Sequence, residues 1–239
     1  FLRAFLPAMD RKWKELGLAD RVLYHISDEP NADHLERYRS HLRFIKEVLP
    51  DCRVMDALSD FAYREIGIDL PVVAIDASEP FIESGTDIMV YYCTGQDKRF
   101  EPNCFFCTPS ERNRVLGVML YKSGVRGFLH WGYNFYNSYL SLRKLDPYYE
   151  TDGAGRFQAG DAFLVYPGKN GALPSLRLKV FADGMQDYKL LKALEKERGR
   201  AYVLGVLERF GYHDFFNYPH DGSALLRLHN ELCRLLTEE

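Results

Sequence analysis

The chain has 239 residues, with 31 Lys and Arg against 34 Asp and Glu, a formal charge of −3, and 46% hydrophobic residues. That is the make-up of a globular protein long enough to bury a substantial core, and it excludes a basic nucleic-acid surface and a polybasic membrane patch. The aromatic share, 14% with 16 Tyr and 16 Phe, is high, and suits amphipathic ligands such as sugars as well as a large core.

Residues 2–17 read as an amphipathic helix, with Leu6, Met9, Trp13 and Leu16 at helical spacing. An apolar run over 21–27 reads as a strand and stops at Asp28, Glu29 and Pro30. Residues 31–48 form the next helix, with Leu35, Tyr38, Leu42, Ile45 and Leu49 on one face. A short strand "CRVMDAL", a short helix "FAYREIG" and a second strand "PVVAID" follow, then a helix near Phe81–Ser84 and a third strand "DIMVYYCTG". A helix over 109–123 and the strand "VRGFLHWGYNF" complete the alternation. Residues 135–174 are long, rich in Gly and Pro and weakly periodic, as functional loops are, with one β-like piece, "DAFLVYPG". A strong helix starts at Pro174 or Ser175, and two more, near 198–209 and 222–237, cover the domain with charged outer faces.

Strands alternating with helices predict an α/β fold with a parallel sheet. Polar and aromatic groups gather where strands end: Asp28 and Glu29, Asp56, Asp76, Tyr91 to Thr94, and Trp131 to Asn134. Both a (β/α)8 barrel and a doubly wound sheet place ligands at that edge. No GxGxxG follows a strand, which counts against a dinucleotide fold. About five strands are legible, so a barrel would be present only as its C-terminal part, about strands 4–8. The opening "FLRAFLPAMD" agrees, because it has neither an initiator Met nor a cationic start before a signal-type core. The expected division is a catalytic part over 1–195 and a helical cover over 196–239.

Five cysteines do not make a disulfide framework in a chain of this length, and Cys104 and Cys107 form a lone CxxC without a second ligand pair. No metal or cofactor is expected.

The Asp28–Glu29 pair admits three readings. It can start a helix, with Ser27 or Asp28 as the cap and Pro30 at an early helical position. It can bind a metal, although His25 and Asp33 nearby show no recognised ligand spacing. It can be catalytic, because glycoside hydrolysis generally uses two carboxyl groups. Adjacent residues of a strand face opposite ways, so both carboxylates enter one site only if the chain turns there.

The segments "HISDEP", "YYCTGQ", "GVRGFLHWGYNFY" and "FLVYPGKNGALPSLRLKVFADGMQDYKLL" resemble the catalytic domain of glycoside hydrolase family 123, over roughly residues 20–195. The resemblance implies a (β/α)8 barrel and a retaining β-N-acetylgalactosaminidase in which the substrate's own 2-acetamido oxygen attacks the anomeric carbon. It implies Glu29 as general acid/base and Asp28 as the group that orients and stabilises the acetamido group. Tyr91 would donate to the acetamido oxygen, and Asn103 would line the rim. The implied partner is a GalNAc-containing oligosaccharide or glycolipid, with no nucleic acid and no membrane insertion. The implied setting is secreted, periplasmic or surface-associated in a bacterium. A glycosidase acting on sugars without an acetamido group, and a carbohydrate-binding relic without turnover, remain as alternatives.

The remaining candidates keep two readings each. Trp131 is a platform under a sugar ring or a core residue, and Asn134 a hydroxyl ligand or a turn cap. Asp56 and Asp76 bind hydroxyls or cap helices. His25 is a packed core histidine or a ligand. Tyr92 faces opposite to Tyr91, so one of the two packs under a helix. Arg177, Asp183 and Asp187 are expected to supply an Arg–Asp pair that anchors the long loop, while Asp161 and Tyr166 are placed for lid contacts.

Overall fold

The computed structural model describes residues 1–95 and 100–237, so Gln96 of the "YYCTGQ" motif lies outside the described residues. Its contacts divide the chain into two units, Phe1–Tyr91 and Tyr92–Glu239.

The first unit is an α/β layer. Helix α1 (Leu2–Glu15) buries Leu6, and α2 (Leu35–Val48) buries Tyr38 and Leu42. Three short strands, β1 (Met55–Ala57), β2 (Leu70–Ala74) and β3 (Met89–Tyr91), form a parallel sheet in that order. All five residues of β2 are buried, as expected of a strand covered on both faces. The core joins Leu6 to Tyr38, Leu42, Leu49, Val54, Leu58 and Tyr63. Each such side chain withdrawn from water contributes about 1.5–3 kcal/mol. A short helix, α3 (Glu79–Glu83), leads into β3 and buries Phe81.

Four expectations change here. The run over 21–27 is a strand only at Tyr24, which bridges Val54 in parallel fashion, while its neighbours stay irregular. The helix "FAYREIG" is a 3-10 turn over Phe61–Ile66, started by the Asp60 side chain accepting from the Ala62 amide. The helix cap is not Ser27 or Asp28. Asn31 takes that role, its side chain accepting from the Asp33 amide at 3.0 Å ahead of the 3-10 turn Ala32–His34 that opens α2. Leu16 is exposed, beyond the end of α1.

The second unit is mainly helical. Helix α4 (Ser110–Ser123) buries almost every side and ends at Gly124, whose φ of 72° gives the left-handed C-terminal stop. It packs along α5 (Leu176–Arg198), with α6 (Arg200–Arg209) and α7 (Gly222–Thr237) laid against α5. The α4–α5 approach rests on two glycines: a Cβ on Gly117 would stand 1.9 Å from the Gly184 carbonyl oxygen, and one on Gly184 would stand 2.4 Å from that of Arg114. Strand β4 (Gly127–Leu129) follows α4. The β-like piece proves to be half of a hairpin, β5 (Val165–Gly168) and β6 (Gly171–Pro174). Pro174 therefore ends a strand, and Ser175 caps α5 by accepting from the Leu178 amide at 3.2 Å.

The long loop is stitched down by main-chain bonds, Phe135 N to Ala162 O at 3.0 Å and Leu164 N to Tyr133 O at 2.8 Å. Arg177 anchors it through the Gly160 carbonyl and lies over the Phe106 and Phe163 rings, 4.5 and 5.2 Å from their centroids. An Arg–Asp pair does exist, but Asp187 is held by Arg114 of α4 rather than by Arg177, with bonds of 2.7 and 3.0 Å. Asp183 is exposed although it stands four residues from the buried Asp187.

Candidate functional site

In the first unit the site is built on the segment that leaves the Tyr24 bridge. Asp56, at the middle of β1 and 1% exposed, turns its carboxylate onto that segment. Oδ1 accepts from the amides of Ile26 at 2.8 Å and Ser27 at 3.4 Å and lies 2.5 Å from His25 Nδ1, which also meets the Met55 carbonyl at 3.4 Å. Oδ2 accepts from the Tyr38 hydroxyl of α2. Burial pushes the Asp56 carboxyl above the usual carboxylate range, against the pull of Tyr38, Ile26 and His25. Burial likewise drives the Tyr38 phenol well above its ordinary value, with the Asp56 bond adding to it. Asp56 is thus neither a helix cap nor an open sugar ligand; it tethers the chain just ahead of the acidic pair. His25 is an exposed partner of this carboxylate, not a packed core histidine.

The tethered segment then turns. Asp28 and Glu29 are both exposed, and Glu29 has φ 42°, a left-handed conformation rarely adopted outside Gly, Asn and Asp. Pro30 disfavours the right-handed helical region for the residue before it, which keeps a helix from starting at Glu29 but does not by itself favour the left-handed conformation. A non-glycine residue in this region costs on the order of 1–3 kcal/mol, and such strain gathers at functional sites.

The Tyr91 hydroxyl, at the end of β3, donates to Glu29 Oε1. Ser59 Oγ, 3.4 Å from the Tyr91 oxygen, accepts from the Ala74 amide at 3.0 Å. Because Tyr91 spends its proton on Glu29, its oxygen is the acceptor for the Ser59 hydroxyl, so the bonds run Ser59 to Tyr91 to Glu29. The sequence reading did not find Ser59, since a lone Ser after a strand carries no signal. Asp76 lies exposed in the turn Ile75–Ala77 after β2.

The second unit holds a separate aromatic shelf. Trp131 is 36% exposed, with its ring 4.9 Å from Phe157 and 5.5 Å from Phe135 between centroids. Its indole N–H donates to Oδ2 of the fully buried Asp161 at 2.9 Å, so the shelf has one anchored edge and one open face. Asp161 is therefore a support beneath the shelf rather than a lid contact. Asn134, three residues on, is exposed and bridges Phe163. Tyr166 packs 5.0 Å from Tyr148.

Three residues sit deeper. Tyr91 and Tyr92 are both buried, 6% and 2% exposed, so the expectation that only one of them packs away is not met, and the Tyr92 hydroxyl meets Cys104 Sγ at 2.7 Å. Asn103 is not at a rim: it is 1% exposed and organises its own turn, donating to Glu101 O at 2.9 Å and accepting from Thr108 Oγ1 at 2.7 Å. His130 keeps both ring nitrogens buried, beside the Tyr92 and Phe128 rings. Burial and the nearby Arg177 charge lower its pKa to about 4, with the Asp161 main chain opposing.

Cys104 is buried and Cys107 exposed, and no group of three or more His, Cys, Asp or Glu among the described residues could hold a metal ion. No described helix is long and apolar enough to cross a membrane.

Comparison with known proteins bears on this geometry directly. No curated protein matches the chain. Among solved structures, it resembles a family 123 glycoside hydrolase from Clostridium perfringens, described in terms of glycolipid glycan hydrolysis, with a TM-score of 0.65 at 16% identity. The similarity covers 97% of this chain and 42% of that one, so the chain spans less than half the length of this relative. At that identity the likeness establishes the shared fold. The catalytic-domain model of glycoside hydrolase 123 matches residues 1–194, most of the 239, and the chain therefore belongs to glycoside hydrolase family 123.

Proposed function

We propose that this chain carries the acid/base pair of a retaining glycoside hydrolase that releases β-linked N-acetylgalactosamine, or a related N-acetylhexosamine, with help from the substrate's 2-acetamido group. The observation that carries the reading is the Glu29 carboxylate, exposed on a left-handed turn and oriented by the Tyr91 hydroxyl. Family membership supports the chemistry, and the relative's glycolipid glycan supports the substrate class. The parallel strands fit the C-terminal part of a (β/α)8 barrel, whose sites lie at strand C-termini.

In the first step Glu29 gives its proton to the glycosidic oxygen while the acetamido oxygen attacks the anomeric carbon. The bond to the leaving sugar breaks and a cyclic oxazolinium forms. Asp28, the neighbouring carboxylate, accepts the acetamido N–H and stabilises the positive charge that develops there. In the second step Glu29 takes a proton from water, the water attacks the anomeric carbon, and the ring opens with net retention. Two adjacent residues share this work because the turn at Glu29 breaks the strand alternation that would aim them apart. Tyr91 orients the Glu29 carboxylate through Oε1, leaving Oε2 for the glycosidic oxygen. Donation to the acetamido oxygen would need this hydroxyl to turn away from Glu29 as substrate enters, because it carries one hydrogen. In the second unit, taken by itself, Trp131 offers an apolar face to a sugar ring and the exposed Asn134 a hydroxyl ligand.

The test is hydrolysis of an aryl β-N-acetylgalactosaminide by the protein, by Glu29→Gln and by Asp28→Asn. Loss of general acid/base catalysis predicts a fall of about a hundredfold or more for Glu29→Gln. Asp28→Asn should lose most of its rate on the acetamido substrate. Full activity in either variant would sink the assignment. Equal rates on the matched 2-hydroxy glycoside would instead indicate a glycosidase that does not use the acetamido group, and glycan binding without turnover would indicate a binding relic.

A further inference from the structure

Four side chains in the second unit form a chain of bonds that the glycosidase reading does not use. Asp187 of α5, 1% exposed, is gripped by the Arg114 guanidinium of α4, Nε to Oδ2 at 2.7 Å and Nη2 to Oδ1 at 3.0 Å. The same Oδ1 meets His229 Nδ1 of α7 at 2.7 Å. On the other side of that ring, His229 Nε2 faces Cys233 Sγ at 3.7 Å. His229 and Cys233 stand four residues apart on α7 and so share one face of the helix. The adjoining face is buried through Leu225, Leu228 and Leu232, which fixes the rotation of the helix and leaves His229 and Cys233 at its edge.

The direction of each proton follows from the inventory of donors. A carboxylate held in a bidentate guanidinium fork only accepts, so His229 Nδ1 must carry the hydrogen toward Asp187. In the neutral ring Nε2 is then the lone-pair nitrogen, aimed at sulfur, and the Cys233 thiol donates to it. This is the arrangement of a nucleophile, its base and the base's orienter. The thiol is also reachable: Cys233 is only partly buried and His229 keeps 32% of its side chain exposed, whereas Cys52 and Cys104 are buried. Both His229 and Cys233 lie beyond the segment that matches the glycosidase family.

We propose that Cys233 is a thiol-modification site for small disulfides, with His229 as its base and Asp187 as the residue that positions His229. Cys233 Sγ attacks one sulfur of the disulfide as its proton passes to His229 Nε2. The new Sγ–S bond forms and the reagent's S–S bond breaks. The departing thiolate takes the proton from His229 and leaves as a free thiol. The Cys233 sulfur is oxidised to a mixed disulfide, and the released half of the reagent is reduced.

The experiment treats the protein with a limiting amount of 4,4′-dithiodipyridine and follows each cysteine by peptide mass spectrometry. The exposed Cys107 serves as the internal reference. The expected result is modification of Cys233 about tenfold faster than Cys107, since reactive thiols owe their rates to such microenvironments. His229→Asn should bring Cys233 to the Cys107 rate or below it, with the Cys107 rate and the melting temperature unchanged. Cys233→Ser should abolish the fast phase of pyridinethione release, a check independent of whether the histidine variant folds well. A Cys233 no faster than Cys107, a fast phase that survives in Cys233→Ser, or an unchanged Cys233 rate in His229→Asn would each overturn the proposal.

Discussion

Replacing Asp56 by alanine removes one carboxylate and leaves two donors stranded in the first unit. The Tyr38 hydroxyl and the Ile26 amide both give their hydrogens to this side chain, which is 1% exposed. A buried donor left without a partner costs about 1–3 kcal/mol, so the two together cost about 2–6 kcal/mol. Release of the Asp56 burial penalty, visible in its raised pKa, offsets part of this. The expected net loss is about 3 kcal/mol in Asp56→Ala. Asp56→Asn keeps a carbonyl oxygen for the Ile26 and Ser27 amides and turns an NH2 toward the Tyr38 oxygen, so it should lose only about 1 kcal/mol. A double-mutant cycle separates the tether from general core damage. Tyr38→Phe retains the edge-to-face contact with Tyr63, 5.3 Å between centroids, and deletes only the hydroxyl. That deletion should cost about 1–2 kcal/mol in the parent and nearly nothing in the Asp56→Ala background, where the hydroxyl is already an orphan. Urea unfolding followed by circular dichroism reads all four corners. A coupling below about 0.5 kcal/mol, the level at which independent sites add, would refute the reasoning.

Gly117→Ala should destabilise by about 3 kcal/mol, because the added methyl meets the Gly184 backbone, which no rotamer change can move. Gly205→Ala on α6 is the contrast: its Cβ would find nothing nearer than Arg209 Nη1 at 4.0 Å, so helix propensity alone should stabilise by about 0.5–1 kcal/mol. Thermal melts of the pair test the helix crossing, and equal effects would remove its explanation. For His130 the folded pKa of about 4 lies below the ordinary 6.5, so its contribution is complete above pH 6.5 and is lost as pH falls toward 4. That loss amounts to up to about 3 kcal/mol, and His130→Phe should show correspondingly less acid destabilisation between pH 7 and pH 4 in urea titrations. An unchanged pH slope in the variant would show that the ring is not buried neutral.

Much of the fold was legible because the apolar patterns were strong and local. The face of Leu35, Tyr38, Leu42 and Leu49 marked α2, and "PVVAID" marked β2, whose burial on both sides leaves no alternation to misread. The turn at Asp28–Glu29 was foreseeable from Pro30, but the cap was displaced to Asn31, because an Asx side chain and His34 close that turn three residues later. The distinctive late motif also gained physical content. Ser175 caps α5, Gly184 admits α4, Asp187 holds Arg114, and Arg177 holds the loop at Gly160.

Pairings between distant residues were not legible. Asp187 could have met Arg177 ten positions away in sequence or Arg114 on another helix, and only the packing of α4 on α5 chose the second. Asn103 was expected at the rim from the family resemblance, yet its amide is consumed inside its own buried turn. By itself the sequence determined the main helices, the buried strand β2 and the break in the chain at Asp28–Glu29 ahead of Pro30, since these depend on side-chain periodicity and on proline's local sterics. Only the tertiary structure decided that Tyr91 holds Glu29, that Asp56 tethers the segment before it, and that Cys233 faces His229, because hydrogen bonds across elements depend on register and helix rotation, which no single segment encodes.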